Sequence, residues 1–355
     1  MTDFRHSVCP AIALAAALAL ALPATPARAD DVALVETGST LLYPLFKVWV
    51  AEYTKTHPGI RIALNATGSG AGIEQAISGA AQIGASDAYM SDTQARQNPQ
   101  IINVPMAISA LTVNYNLPGL NTANLKLDGP VLADIYKGKI RSWDDKAIAA
   151  LNPGVKLPHQ NIIPVHRAEG SGDTFVFTQY LTFSTPSWEN NIGYGTTIAW
   201  PSVPDSLTAE GNLGVLQLIQ KTAYSIGYLG VSFHAEITEA SLGTASLKSY
   251  SGEFLLPTRA TVAAASAALT PRTPPDERLT LVNAPGVNAY PLVNYEYAVV
   301  STKQANPETA AALRKFLLWA IAPDETNERI LDDAHFIALP AHIWVLSHDQ
   351  IDSIK

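Results

Sequence analysis

A Gly/Ser/Thr-rich loop opens a segment with helical apolar spacing at three places in the chain. The first is ETGSTLLYPLFKVWVAEY, in which Pro44 suits the first turn of a helix. The second is NATGSGAGIEQAISGAA, which follows the candidate strand IRIALNA. The third is HRAEGSGDTFVFTQYL, at residues 166–181. These segments predict three junctions between a loop and a helix.

The third segment fits either a helix or a strand by periodicity alone. Asp173 is a good N-cap residue, and on that ground we predict a helix that begins at Thr174. The C-terminal part carries the same kind of signal, because Asn306 is a cap residue and Pro307 suits a first turn. Both places therefore predict a capped helix start.

A helix start can bind a small anion without a lysine, because its first backbone N–H groups lack partners and carry partial positive charge. Three starts that converge on one point could replace the water around an oxyanion with hydrogen bonds. The alternative is that each loop only caps its own helix, which is the more common role of such loops. One loop alone therefore identifies no site.

The N-terminal segment has the pattern of a secretory signal peptide. An unbroken apolar run covers residues 11–22, and Ala27 and Ala29 form the A-x-A arrangement of a cleavage site. The run is too short for a stable membrane anchor. We therefore predict that residues 1–29 are removed after Ala29 and that the rest of the chain is exported.

Composition and charge narrow the class of protein. The chain has 355 residues, 47% hydrophobic and 15% charged, which excludes a disordered chain and favours two domains. Its single cysteine, Cys9, lies in the predicted signal peptide, so no disulfide or thiol chemistry is expected afterwards. Loss of Arg5, Arg28 and Asp3 leaves 21 basic and 30 acidic residues, a net charge of −9. This balance argues against nucleic acid and requires any anion site to act through local hydrogen bonds.

Catalytic and cofactor motifs are absent from the sequence. It has no G-x-x-x-x-G-K-[ST], no G-x-S-x-G and no H-E-x-x-H, and GSGAG lacks the spacing of a dinucleotide loop. The eight histidines are scattered, and His166 is interpreted as a packing or surface residue. We therefore predict no metal and no cofactor.

Five stretches, in the same order and at similar spacing, resemble a known family. They are TGSTLLYPLF, GSGAGIEQAI, IGASDAYMSD, GKIRSWDDKAIAALNPGVKLP and HRAEGSGDTFVFTQYL. The family is the periplasmic phosphate-binding protein of Pst-type ABC transporters, and the resemblance is densest over residues 36–199. It implies a bilobed α/β periplasmic-binding-protein fold, with two α/β lobes joined by hinge strands and the ligand in the cleft.

The resemblance also implies how the chain divides. The hinge strands would be MAISALTVNYN and YPLVNYEYAVV, which are apolar and rich in β-forming residues. Lobe one would then comprise residues 30–110 plus 291–355, and lobe two residues 111–290.

The ligand set implied by the resemblance comprises Thr40, Leu41, Ser69, Asp87, Arg167, Glu169, Ser171, Gly172 and Asp173. Arg167 offers a planar fork for two oxygens. Asp87 can only accept when ionised, so it favours an oxyanion that still carries a proton, as phosphate does at neutral pH and sulfate does not.

Three positions depart from the family pattern. Leu41 stands in place of a phenylalanine, Glu169 in place of an aspartate that orients Arg167, and Asp173 in place of a threonine-type donor. For Asp173 two roles are open: the N-cap role, which we prefer, and that of a second acceptor beside Asp87.

The resemblance implies an exported, non-enzymatic and monomeric phosphate receptor in the periplasm. It would deliver inorganic phosphate to the membrane permease subunits of an ABC importer. One alternative is a receptor for another tetrahedral oxyanion, such as arsenate or sulfate. Another is a phosphate-ester hydrolase with Ser69 or Ser171 as nucleophile, which is disfavoured because neither serine has a base or metal visible in the sequence.

Overall fold

The computed structural model describes residues 31–355, so the predicted signal peptide, its cleavage site and Cys9 lie outside the described residues. The strands are β1 Val32–Gly38, β2 Ile60–Asn65, β3 Ile83–Ser86, β4 Ile101–Tyr115, β5 Lys126–Leu127, β6 Ile163–Arg167, β7 Leu207–Ala209, β8 Ser225–Gly230, β9 Gly243–Thr244, β10 Ser246–Lys248, β11 Phe254–Leu255 and β12 Val293–Ser301.

The α-helices are α1 Tyr43–Thr56, α2 Ser69–Ser78, α3 Asp92–Gln97, α4 Gly129–Tyr136, α5 Lys146–Leu151, α6 Gly172–Ser184, α7 Pro186–Glu189, α8 Gly211–Lys221, α9 His234–Glu239, α10 Arg259–Leu269, α11 Pro307–Ala320, α12 Glu325–Asp333 and α13 Ala341–Asp352. Two 3-10 turns lie at Val231–Phe233 and Thr270–Arg272. Within residues 31–355, no helix has the length and hydrophobicity that crossing a membrane requires.

A nine-stranded sheet runs through the molecule in the order β2-β1-β3-β12-β4-β8-β6-β7, with β9 also beside β4. The strands β1, β2 and β3 are parallel to one another at one end, and β6, β7 and β8 are parallel at the other. Strands β4 and β12 are antiparallel to their neighbours between these groups. The fold is therefore a bilobed α/β fold, as the sequence predicts.

Strand β4 belongs to both groups. Residues 101–110 pair with β12, and residues 111–115 pair with β8. Strand β4 thus changes its pairing partner from β12 to β8 between Ala110 and Leu111, within the stretch where the resemblance places the first hinge. The residue boundaries of the two lobes stay a prediction.

Helices α1 and α11 form part of the core that supports the β1 end of the sheet. Leu45, Trp49 and Tyr53 of α1 are buried, and the Tyr53 ring meets Phe316 of α11 at a centroid distance of 5.2 Å. The Asn306 side chain accepts from the Thr309 N–H, and the helix begins with proline. Both predicted helices are confirmed; each has proline in its first turn, but only α11 has a side-chain cap, since the N-cap of α1 is Leu42.

Helix α6 confirms the helical interpretation of the third segment but corrects its start. The helix begins at Gly172, and its N-cap is Ser171, whose Oγ accepts from the Thr174 N–H at 3.3 Å. The prediction that Asp173 caps the helix is wrong. Asp173 lies inside the first turn, where its carboxylate binds Arg167 and Asn212 instead.

Candidate functional site

The predicted site residues follow the carboxyl ends of the strands. Thr40 comes after β1, Ser69 opens α2 after β2, and Asp87 comes directly after β3. Arg167 ends β6 and Gly172 opens α6. Because the carboxyl ends of parallel strands meet at one edge of a sheet, each group projects its polar residues into the crevice between the lobes.

One side of this crevice, here called the first wall, consists of Ser39, Thr40, Ser69 and Asp87. Ser39 Oγ donates to Asp87 Oδ1 and accepts from the backbone N–H groups of Leu41 and Leu42, each at 3.1 Å. Ser69 Oγ donates to Asp87 Oδ2 and accepts from the Asp87 N–H, both at 3.2 Å. Hydroxyl groups and helix starts therefore surround a buried carboxylate.

Leu41 contributes to the first wall only through its backbone. Its side chain is fully buried in the hydrophobic core, and its N–H points to Ser39 Oγ. The replacement of phenylalanine by leucine therefore leaves the polar contact unchanged.

The opposite side, the second wall, consists of Arg167, Glu169, Asp173 and Asn212. Arg167 is only 4% exposed. Its Nε donates to Glu169 Oε1 at 2.8 Å, one terminal nitrogen binds the same oxygen, and the other binds Asp173 Oδ2. Two carboxylates thus balance the single arginine; the resemblance implied the Glu169 contact, whereas the Asp173 contact was not predicted.

Asn212 joins the two walls and was missed by the sequence reasoning. Its Nδ2 donates to Asp173 Oδ2 at 2.7 Å and to Thr40 Oγ1 at 2.9 Å. Thr40 Oγ1 also accepts from Arg167 at 3.2 Å. The preceding residue, Gly211, opens α8 and donates its N–H to Glu169 Oε1 at 3.0 Å. The signal in the sequence was a fourth Gly-led segment, EGNLGVLQLI.

The walls also meet at Gly172. A Cβ atom at this position would lie 2.5 Å from Ser69 Oγ and in equally severe conflict with Asp87 Oδ2. A second contact joins the Gly70 N–H to the Gly170 carbonyl at 2.9 Å. Only glycine therefore allows the start of α6 to approach the first wall this closely.

Burial raises the pKa of Asp173 to about 7, with the nearby Asp87 and Glu169 charges adding to the effect and Arg167 opposing it. Asp173 Oδ1 is buried and has no hydrogen-bond donor among the described residues. Burial would raise the pKa of Glu169, but the hydrogen bond and the charge of Arg167 outweigh burial and lower this pKa. The two acids that contact Arg167 therefore differ in how readily they ionise.

His166 is a packing residue, as predicted. Its ring stacks on Trp200 with a centroid distance of 4.6 Å, and burial lowers its pKa. Within residues 31–355, no group of three or more His, Cys, Asp or Glu side chains is arranged to hold a metal ion.

A cavity of about 500 Å³ lies apart from both walls. Val231, Val262 and Phe336 are among its lining residues, and none of the wall residues takes part. The walls themselves are in direct contact, so the polar cluster has the form of a closed cleft.

Comparison with known proteins agrees with this architecture. Residues 23–324 match the model of a PBP superfamily domain. The chain is 31% identical to the phosphate-binding protein PstS of Methanocaldococcus jannaschii, over 94% of this chain and 89% of that protein. It is 33% identical to the PstS of Pasteurella multocida, over 86% of each chain. The structure of a high-affinity periplasmic phosphate-binding protein, PfluDING, bound with phosphate, superposes with a TM-score of 0.70 at 20% identity, over 88% of this chain and 92% of that one.

Proposed function

The chain belongs to the PBP superfamily and to the family of phosphate-binding proteins named PstS, and on that premise we propose that it captures inorganic phosphate for an ABC importer. The observation that carries this proposal is the closed polar cluster of the two walls. It combines hydroxyl donors, helix starts, one arginine and the acceptor carboxylates of Asp87 and Asp173 in a buried space.

The nine residues implied by the resemblance are proposed as the phosphate ligands, each through one kind of contact. Thr40 and Ser69 offer hydroxyl groups, while Leu41 and Gly172 offer backbone N–H groups at the starts of α1 and α6. Arg167 offers charged N–H groups, which Glu169 holds in place. Their present partners are one another, so the walls must part before an anion can enter.

Ser171 and Asp173 complete the proposed set. The Ser171 hydroxyl accepts from the Thr174 N–H and keeps its own proton for a ligand oxygen. Asp173 has the unpartnered Oδ1, which fits the role of a second acceptor now that its capping role is overturned. Asp87, held by two serines, is proposed to distinguish phosphate from sulfate.

Binding without catalysis is part of the proposal. The side chains of Ser69 and Ser171 bond to Asp87 and to a backbone N–H respectively, and neither contacts a histidine. A serine nucleophile needs a base aligned with it and a base-orienting partner. The relatives are likewise named as binding proteins.

We also propose that the chain acts as a monomer in the periplasm after cleavage behind Ala29, and that it passes phosphate to membrane permease subunits. The apolar run and A-x-A pattern of residues 1–29 support export.

Calorimetry of residues 30–355 with phosphate, arsenate and sulfate tests the function. Phosphate is expected to bind about 100-fold or more tightly than sulfate, because sulfate leaves the Asp87 acceptor facing an unprotonated oxygen. Arsenate shares the proton and is expected to bind. Absence of phosphate binding, or release of phosphate from an aryl phosphate ester, contradicts the proposal.

A further inference from the structure

Glu296 lies behind the first wall, on the central strand β12. Strand β12 pairs antiparallel with β3, and Tyr297 stands opposite Ser86. The ladder ends there with β3, and one further step in the same register leads to Glu296 on β12 and to Asp87, the residue that follows β3. Glu296 is fully buried. It belongs to none of the motifs that predicted the site.

The two oxygens of Glu296 have different environments. Oε1 accepts from Ser109 Oγ and, at 2.9 Å, from Asn294 Nδ2. Oε2 is buried and has no donor among the described residues. Asn294 also donates to the backbone carbonyl of Asp87 at 3.1 Å, which ties the two acidic residues together. The shared Asn294 amide and the register of β3 against β12 place the Glu296 and Asp87 side chains next to each other.

Two adjacent buried carboxyl groups cannot both be ionised, so the pair shares one proton. Asp87 receives hydroxyl donors from Ser39 and Ser69 and lies in the field of Arg167. Glu296 has no cation beside it, and only Oε1 receives donors. The proton is therefore more stable on Glu296 Oε2 than on Asp87.

The electrostatic environment agrees with this placement. Burial, and then the Asp87 carboxylate, raise the pKa of Glu296 well above its ordinary value. Burial raises the pKa of Asp87 as well, although hydrogen bonds from Glu296 and Ser39 and the charge of Arg167 oppose that rise, and no such cation among the described residues opposes it at Glu296. On the second wall, the Asp87 charge adds to the effect of burial and raises the pKa of Asp173.

We propose that Glu296 is a positioning residue for anion selection: it keeps a proton on Oε2 and donates a hydrogen bond through it to Asp87, which thereby stays ionised as an acceptor for the ligand. This inference rests on the proposed function and deepens it. Asp87 discriminates against sulfate only while it lacks its own proton, since a protonated Asp87 would donate to any oxyanion. A neutral Glu296 also adds no second negative charge behind the site.

Glu296→Gln and Glu296→Met separate this role from a packing role. Glutamine keeps a neutral donor at the same place, so phosphate and sulfate affinities are expected to stay within about threefold of wild type near pH 7. Methionine keeps similar volume without a donor, so the preference for phosphate over sulfate is expected to fall about tenfold or more. Asp87→Asn serves as the reference for lost discrimination.

Two results overturn the inference. Tighter binding of both anions by Glu296→Gln means that Glu296 was ionised, because the substitution then removes a negative charge. Equal losses for both anions in Glu296→Met mean that the side chain only packs.

Infrared spectroscopy tests the proton without any ligand. Wild type is expected to show the carbonyl stretch of a protonated, buried carboxyl group that disappears in Glu296→Gln. If the spectra of wild type and Glu296→Gln do not differ in this carbonyl band, the inference fails even when phosphate binds. If Glu296→Gln loses the band but wild type does not bind phosphate, the proposed function fails instead.

Discussion

The first wall consists of neutral donors around one acid, whereas the second wall consists of an arginine enclosed by two acids. Ser39 and Ser69 hold Asp87 from two sides, and Arg167 contacts Glu169 and Asp173. The first wall is therefore suited to select an anion by its protonation state. The second wall is suited to attract the negative charge of the anion. Because Glu169 and Asp173 already balance the charge of Arg167, the arginine can attract an anion only if it exchanges one of these carboxylates for the anion as the anion enters.

Removal of Arg167 is expected to have the largest effect on phosphate binding. Arg167→Ala should cost about 2 to 5 kcal/mol of phosphate binding, roughly 30-fold to several thousand-fold, because the anion loses its charged donors. Calorimetry measures the loss, and thermal unfolding checks that the variant folds. Arg61→Ala is the matched control, since Arg61 pairs with Asp31 at the surface. Affinity within about threefold of wild type contradicts a charge-attracting second wall.

A smaller effect is expected from holding the walls apart. Gly172→Ala introduces a Cβ in conflict with Ser69 and Asp87, which should cost about 1 to 3 kcal/mol of binding, or about 5- to 150-fold. Small-angle scattering should show a wider phosphate-bound form than in wild type. Gly59→Ala is the control, because a Cβ there meets nothing within 4 Å. Unchanged affinity and width would show that the walls do not meet in the bound form.

The charge on Asp173 should give the second wall a pH dependence that the first lacks. Since the pKa of Asp173 is raised to about 7, the wild-type site gains a negative charge as pH rises past neutrality. Asp173→Asn should therefore bind phosphate up to about tenfold more tightly than wild type near pH 8 and about equally near pH 6. Titrations of both forms across this range measure the ratio.

Asp92→Asn, at an exposed acid, provides the control. Parallel affinity curves for wild type and Asp173→Asn would rule out a titrating group at this position.

The smallest effect on binding is expected from a buried acid outside both walls. Glu36 of β1 has two buried oxygens without donors among the described residues, and burial raises its pKa to about 8. The folded state thus keeps this proton while the unfolded state releases it near 4.5, so stability should fall as pH rises between these values.

Glu36→Met should raise the free energy of unfolding by about 2 to 4 kcal/mol near pH 8, with little change near pH 4 and unaltered phosphate affinity. Urea unfolding at both pH values measures the difference. Equal gains at the two pH values would show that the effect is one of packing and not of ionisation.

The residues in and behind the walls differ in how far the sequence predicts them. Resemblance placed Asp87 and Arg167 in the site, because each lies in a contiguous motif next to a strand end. Asn212 and Glu296 were not predicted, because Asn212 contacts Thr40 from 172 positions further along the chain, and Glu296 comes near Asp87 only because β12 pairs with β3. Local patterns carry no information about such contacts.

The cap of α6 shows a different limit. Ser171 and Asp173 both suit an N-cap and stand two positions apart, so propensity cannot choose between them. The choice is made by Arg167 and Asn212, which bind the Asp173 carboxylate and leave the helix amides to the serine. The overall α/β fold was predictable because the resemblance extends over most of the chain.

The position of β12 has a consequence for the order in which the molecule forms. This strand lies between β3 and β4 in the sheet, although it follows β4 in the chain by nearly 200 residues. During synthesis from the N terminus, β3 and β4 therefore emerge long before the strand that joins them. Their pairing depends on contacts of high sequence separation, which form slowly. The proposed anion site, with Glu296 behind it, can therefore form only after almost the whole chain has been synthesised.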